Sequence, residues 1–134
     1  NSSIGRFVER IRLDLKFIPF APILFVSAVT GQRVAKIMDE VARVAGECNK
    51  KIGTPVLNRV LQEATKDHPP PMHLGRRLKF FYATQVSVKP PGFALFVNAP
   101  DGVHFSYERY LGNKFREAFG FDGTPIRLFF KAKE

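Results

Sequence analysis

Leu78-Lys79-Phe80-Phe81-Tyr82-Ala83-Thr84-Gln85-Val86-Ser87-Val88, then Lys89-Pro90-Pro91-Gly92, then Phe93-Ala94-Leu95-Phe96-Val97-Asn98, is the stretch that decides the fold. Its first part alternates, with Leu78, Phe80, Tyr82, Thr84 and Val86 on one side and Lys79, Phe81, Ala83, Gln85 and Ser87 on the other. Successive strand side chains point to opposite faces, and aromatic and β-branched residues suit that pleated surface, so the spacing predicts a strand. Pro-Pro-Gly is turn chemistry, and the apolar run after it returns as a second strand, giving an antiparallel pair.

Working outward, Thr54-Pro55 reads as a helix start, and Leu57, Val60, Leu61 and Ala64 form the buried stripe of a helix ending near His68. Pro69-Pro70-Pro71 stops it. Beyond the strand pair, Ser106 is expected to cap a helix in which Tyr107, Tyr110, Leu111, Phe115, Ala118 and Phe119 share a side. Gly120 ends that helix, being the residue type best able to adopt positive φ, and Ile126 to Lys131 reads as a third strand. Residues 50–134 are therefore expected to form one α/β domain of order αββαβ, a three-stranded sheet with helices packed on one face.

Residues 1–49 read differently. Phe7, Val8, Ile11 and Leu15 recur at helical spacing after Ile4, Pro19 and Pro22 break the helix, and Ile23-Leu24-Phe25-Val26 is a short, continuously apolar run. Such a run predicts a strand buried on both faces, as in parallel sheets. A second helix follows, with Val34, Ile37, Met38, Val41, Val44 and Ala45 on one side. One doubly covered parallel strand has no neighbour for its hydrogen bonds, so this helix-strand-helix series reads as the remnant of a larger α/β domain with earlier strands upstream. The polar, basic stretch Gly46 to Gly53 is placed as the linker between the two regions.

The 134 residues are 45% hydrophobic with 14 Phe, enough to fill an interior, which excludes global disorder. Lys and Arg number 21 against 12 Asp and Glu, a net charge of +9. Residues 50–134 carry 14 basic and 7 acidic side chains, so +7 of the +9 lies there. That excess attracts polyanions through salt-sensitive electrostatics, leaving RNA, DNA, an anionic membrane or plain solvation open. Cys48 is the single cysteine, which excludes an intramolecular disulfide and any Cys-based metal cluster. No run of 18 apolar residues occurs, so no membrane span is expected and a cytoplasmic setting is the default.

Specific words of the sequence carry a resemblance. Leu57-Asn58-Arg59-Val60-Leu61, His68-Pro69-Pro70-Pro71, Lys79 to Gln85, Phe105-Ser106-Tyr107 with Arg109-Tyr110-Leu111, and Arg116 to Phe121 leading into Gly123-Thr124-Pro125-Ile126 all resemble strings of the KH-like domain that closes Der/EngA tandem GTPases. Ala21-Pro22-Ile23 through Gly31 is similar to the end of that family's second GTPase domain. The resemblance implies a KH-like fold for residues 50–134 and a P-loop GTPase remnant for 1–49. It also implies a parent GTPase, binding GTP or GDP and Mg, that acts in assembly of the large ribosomal subunit. Expected partners are rRNA or that subunit and the parent's own GTPase domains, and no membrane.

For the chain itself no cofactor and no catalytic residue are expected. A phosphate loop of the form G-x-x-x-x-G-K-[ST] is absent, as are the family's Asp-x-x-Gly and Asn-Lys-x-Asp motifs at any plausible position. Ser27-Ala28 resembles the guanine-contact motif, but one backbone hydrogen bond is worth about 1 kcal/mol against the roughly 8 kcal/mol of micromolar binding. GTP hydrolysis with a separate chain supplying the phosphate loop is the enzyme alternative, and a purely protein-docking module is another. Gly120-Phe121-Asp122-Gly123 spells the Gly-x-x-Gly of KH clamps, yet it lies between a helix and a strand and carries an acid, so it reads as a helix stop and turn. Candidate anion contacts are Arg76, Arg77 and Lys79 beside the proline-rich loop and Arg109, Lys114 and Arg116 on the last helix. His68, His73 and His104 lack metal-site spacing and are expected in capping and loop roles.

Overall fold

The fold is that of a computed structural model, which describes residues 2–133. In chain order it contains α1 (Ser2–Asp14), α2 (Ala35–Cys48), α3 (Thr54–Asp67), the short strands β1 (Met72–His73) and β2 (Arg76–Arg77), then β3 (Phe80–Ser87), β4 (Gly92–Val97), α4 (Phe105–Phe119) and β5 (Arg127–Ala132). A 3-10 turn, Pro100–Gly102, leads into α4.

The three-stranded sheet has β4 at its centre, antiparallel to β3 and parallel to β5. Helices α3 and α4 cover one face. Leu57 and Leu61 of α3, Phe93, Leu95 and Val97 of β4, Leu111 and Phe115 of α4, and Phe121 are all fully buried between them. Phe93 meets Phe115 and Phe121 edge-on at centroid distances of 5.4 and 5.9 Å, the arrangement that aromatic quadrupoles favour. At the far end the Tyr107 and Tyr110 hydroxyls donate to the His68 and Ala64 carbonyls at 2.8 and 2.7 Å, fastening α4 to the C-terminal end of α3. The αββαβ order and the one-sided helix layer are thus present as read from the sequence.

Three expectations are corrected. The register of β3 slips between Phe80 and Tyr82, a bulge that puts Phe80 and Ala83 in the core and leaves Tyr82 and Val86 exposed. Strict alternation had grouped Phe80 with Tyr82 and Val86, and one extra residue reverses the face of everything after it. The helix cap is His104, whose Nδ1 accepts from the Ser106 amide at 3.2 Å, so the capping side chain stands two residues before Ser106. Most consequentially, Ile23 to Val26 pairs with no strand among the described residues, and Leu24 and Val26 are exposed. An apolar run becomes a strand only where a neighbour accepts its backbone bonds, and none lies beside it here.

The first region is correspondingly open. Phe7 and Leu13 of α1 and Met38 and Val41 of α2 are exposed, and Val29 is 96% exposed. Arg12 holds α1 to the following turn by donating to the Pro19 and Ala21 carbonyls. The segment placed as a linker is tied down: Lys50 Nζ donates to the Phe119 carbonyl at 3.0 Å, and the Ile52 amide donates to Gln85 Oε1 at 2.7 Å.

Candidate nucleic-acid interface

Arg76 and Arg77 are presented by a two-strand hairpin that the three prolines concealed in the sequence. Met72 pairs with Arg77 and His73 with Arg76 across a turn made by Leu74 and Gly75, both at positive φ (50° and 77°). Two consecutive positive φ values define the tight turn whose twist matches a hairpin, and glycine takes the second without strain. The hairpin is clamped at its base. Asn98 Nδ2 donates to the Arg77 carbonyl at 3.2 Å, and Asn98 Oδ1 accepts from the Lys79 amide at 2.9 Å. The His73 ring lies so close to Gly102 that a Cβ there would stand 2.5 Å from it. The result is a cleft of about 360 Å³ that includes both arginines and Asp101. Neither guanidinium is ion-paired among the described residues, and both residues are exposed. Lys79 continues this basic edge, its Nζ 5.5 Å from the centre of the Phe81 ring, with Lys133 Nζ 4.4 Å from the same ring.

The candidates on α4 do not join that group. Arg109 lies over the Phe105 ring at 4.7 Å and faces a separate cleft of about 470 Å³ between α4 and the Phe17–Phe20 turn. Lys114 sits in a groove with Glu63 and Asp67 and pairs with Glu117 at 3.6 Å. Arg116 is engaged internally: its Nη1 donates to the Phe121 carbonyl at 2.8 Å and its Nη2 to the Thr124 carbonyl at 3.0 Å, with Phe20 against its face. Burial lowers its pKa, partly countered by Asp122. A side chain holding two carbonyls in a half-buried turn is a structural clamp, and charge on a helix face gives no sequence signal of that.

Gly120-Phe121-Asp122-Gly123 forms the turn that Arg116 clamps, with φ of 90°, 58° and 82° at Gly120, Phe121 and Gly123. It is covered from outside by α2, where Val44 packs on Gly123, Arg43 reaches Asp122 at 3.4 Å, and Cys48 Sγ accepts from the Thr124 hydroxyl at 3.7 Å. The turn reading holds, and this Gly-x-x-Gly is a closed turn.

Ser27 and Ala28 lie in a loop closed on itself: Gly31 N donates to the Ser27 carbonyl at 2.8 Å and Thr30 N to Ser27 Oγ at 3.2 Å. Ala28 is exposed and its amide meets no acceptor among the described residues. The histidines serve the scaffold: His68 stacks beside Tyr107, His73 seats the hairpin and His104 caps α4. Among the described residues no group of three His, Cys, Asp or Glu could hold a metal, and no helix is long and apolar enough to cross a membrane. Spacing did not single out Arg127 and Lys131, although two-residue alternation along β5 puts both on the side away from the helices.

An αββαβ sheet with a one-sided helix layer, a basic hairpin on one edge and a closed Gly-x-x-Gly turn defines a KH-like domain of non-standard kind. Residues 51–131 match the family described as KH-domain-like of EngA bacterial GTPase enzymes, C-terminal, and the chain belongs to that family. Similarity extends over residues 1–50 as well. The whole chain is 58% identical to the GTPase Der of Geotalea uraniireducens and 57% identical to that of Trichlorobacter lovleyi. Over 131 residues, 98% of the chain, it is 60% identical to the GTPase Der of Syntrophotalea carbinolica. The chain spans 30% of the length of each of these relatives.

Proposed function

We propose that this chain is the KH-like, RNA- or ribosome-contacting part of a cytoplasmic GTPase that acts in assembly of the large ribosomal subunit. The observation that carries the reading is the Arg76-Arg77 hairpin with Lys79, three neighbouring cations on a backbone held by Asn98 and by the His73–Gly102 contact. Unpaired cations grouped on an ordered backbone can meet phosphates without first giving up partners within the protein. Arg109 is assigned a secondary contact, and Lys114, already paired, a lesser one.

Residues 1–49 are assigned as the C-terminal remnant of the second GTPase domain of the same parent, where GTP or GDP and Mg would be bound. The exposed apolar residues Phe7, Leu13, Met38 and Val41 support this, as the rest of that domain would cover them. The free Ala28 amide would lend that domain one guanine contact. Nucleotide state would then alter packing on the KH-like domain and so expose or hide the hairpin. The test is co-sedimentation of the chain with large ribosomal subunits, comparing wild type with Arg76→Glu/Arg77→Glu/Lys79→Glu. The triple variant is expected to lose co-sedimentation while keeping its unfolding midpoint, and unchanged co-sedimentation would exclude the hairpin as the contact.

A further inference from the structure

The face of the three-stranded sheet turned away from α3 and α4 carries aromatic rings in the open. Tyr82 is 42% and Phe129 37% exposed. Register puts Tyr82 beside Phe96, and their rings stack at 4.4 Å and 20°. On the other side of β4, Phe129 pairs with Ala94, and its ring lies low because Gly92 has no side chain: a Cβ there would stand 3.2 Å from Phe129 Cε2. Gly92 and Ala94 in the central strand leave room for the Phe129 ring, while Tyr82 on the opposite edge rests against the Phe96 ring. Strand spacing sets the two ring groups roughly 5–10 Å apart, a separation neighbouring bases of one strand can bridge.

The charge of this face is one-sided. Strands β3, β4 and β5 contain no Asp or Glu, while β5 puts Arg127 and Lys131 either side of Phe129, Arg127 at 5.7 Å from the Phe129 ring centre. A protein partner's surface mixes both signs with aliphatic groups, which nothing here selects. Flat rings interleaved with cations and free of carboxylates suit a chain that alternates flat bases with phosphates.

We propose that this sheet face stacks the bases of single-stranded RNA, with Arg127 and Lys131 on its phosphates. The inference rests on the RNA reading above and adds a second surface to it. Lys79 and Lys133, both against Phe81 at the same end of the sheet as Lys131, connect the two surfaces.

The test uses the full chain and fluorescein-labelled oligouridine of about ten nucleotides, read by anisotropy, with the urea midpoint of each variant as the folding check. The chain has no Trp and three Tyr. Tyr107 and Tyr110 are hydrogen-bonded within the protein, so binding-induced quenching of tyrosine emission reports on Tyr82. Tyr82→Phe is expected to bind like wild type. Tyr82→Leu and Phe129→Leu, which keep apolar area but lose the π face, should each weaken binding roughly 5- to 100-fold without changing its salt dependence. Arg127→Gln/Lys131→Gln should instead flatten the salt dependence. If the leucine variants bind as wild type while charge reversal at Arg76, Arg77 and Lys79 abolishes binding, the sheet-face proposal is overturned and the hairpin reading stands, leaving the face to a protein. If wild type binds no RNA even at low salt, both fall.

Discussion

Asn58 of α3 satisfies both outward backbone groups of Ala83 in β3: its Nδ2 donates to the Ala83 carbonyl at 2.9 Å, and its Oδ1 accepts from the Ala83 amide at 2.7 Å. The side-chain amide imitates one residue of a neighbouring strand. β3 is an edge strand, and an uncovered edge is a template for pairing with other chains. Gln85 acts likewise farther along, accepting from Ile52 and donating to the Lys50 carbonyl. Replacing Asn58 with Leu, similar in shape, would leave a buried donor and acceptor without partners at about 1–3 kcal/mol each. A loss of about 2–6 kcal/mol in urea unfolding is expected, with increased self-association by light scattering.

Gly123 and Val44 are a second coupled pair. At φ +82° an alanine at 123 would be strained, and its Cβ would meet Val44 Cγ2 at 2.5 Å. Gly123→Ala is therefore expected to cost about 1–3 kcal/mol and to loosen α2, seen as faster amide exchange at Val41 to Cys48. Val44→Ala in the same chain should recover part of the loss, because contacting residues are not additive.

Arg116 was grouped with anion-binding residues on sequence grounds, and its two carbonyl contacts lead to the opposite expectation. Arg116→Gln should lower stability by about 1–3 kcal/mol while leaving RNA affinity unchanged at a temperature where the variant is folded. Parallel unfolding and binding titrations separate the two effects.

Tyr107 should make the fold sensitive to high pH. Burial raises its phenol above the ordinary range, with a smaller push from Tyr110. A group whose folded pKa lies above its unfolded value contributes stability below the unfolded value, near 10 for tyrosine, and that contribution is lost as pH rises beyond it. Tyr107→Phe should cost about 1–2 kcal/mol at neutral pH, through the unpaired His68 carbonyl. It should also flatten the decline above about pH 10, as followed by circular dichroism.

The parts of the fold legible in the sequence are those written as local periodicity. Leu57, Leu61 and Ala64, and likewise Leu111 and Phe115, mark buried helix stripes by spacing alone, and all five are buried. What stayed hidden depends on a neighbour. The bulge between Phe80 and Tyr82 is defined by pairing to β4, and the apolar run Ile23 to Val26 does not say whether another strand lies beside it. The candidate site was half legible: the cluster Arg76-Arg77-Lys79 is contiguous in sequence, but the direction of a cation on α4 is not. Arg109, Lys114 and Arg116 consequently separate into a cleft, a mixed-charge groove and an internal clamp.

The central claim, that the hairpin cations meet RNA phosphates, is tested most directly by the salt dependence of RNA affinity. For single strands the slope of log K against log salt is about −0.7 per phosphate neutralised. Wild type should therefore show a slope steeper than that of Arg76→Gln/Arg77→Gln/Lys79→Gln by about 2. Equal slopes and equal affinities for the two proteins would contradict the account.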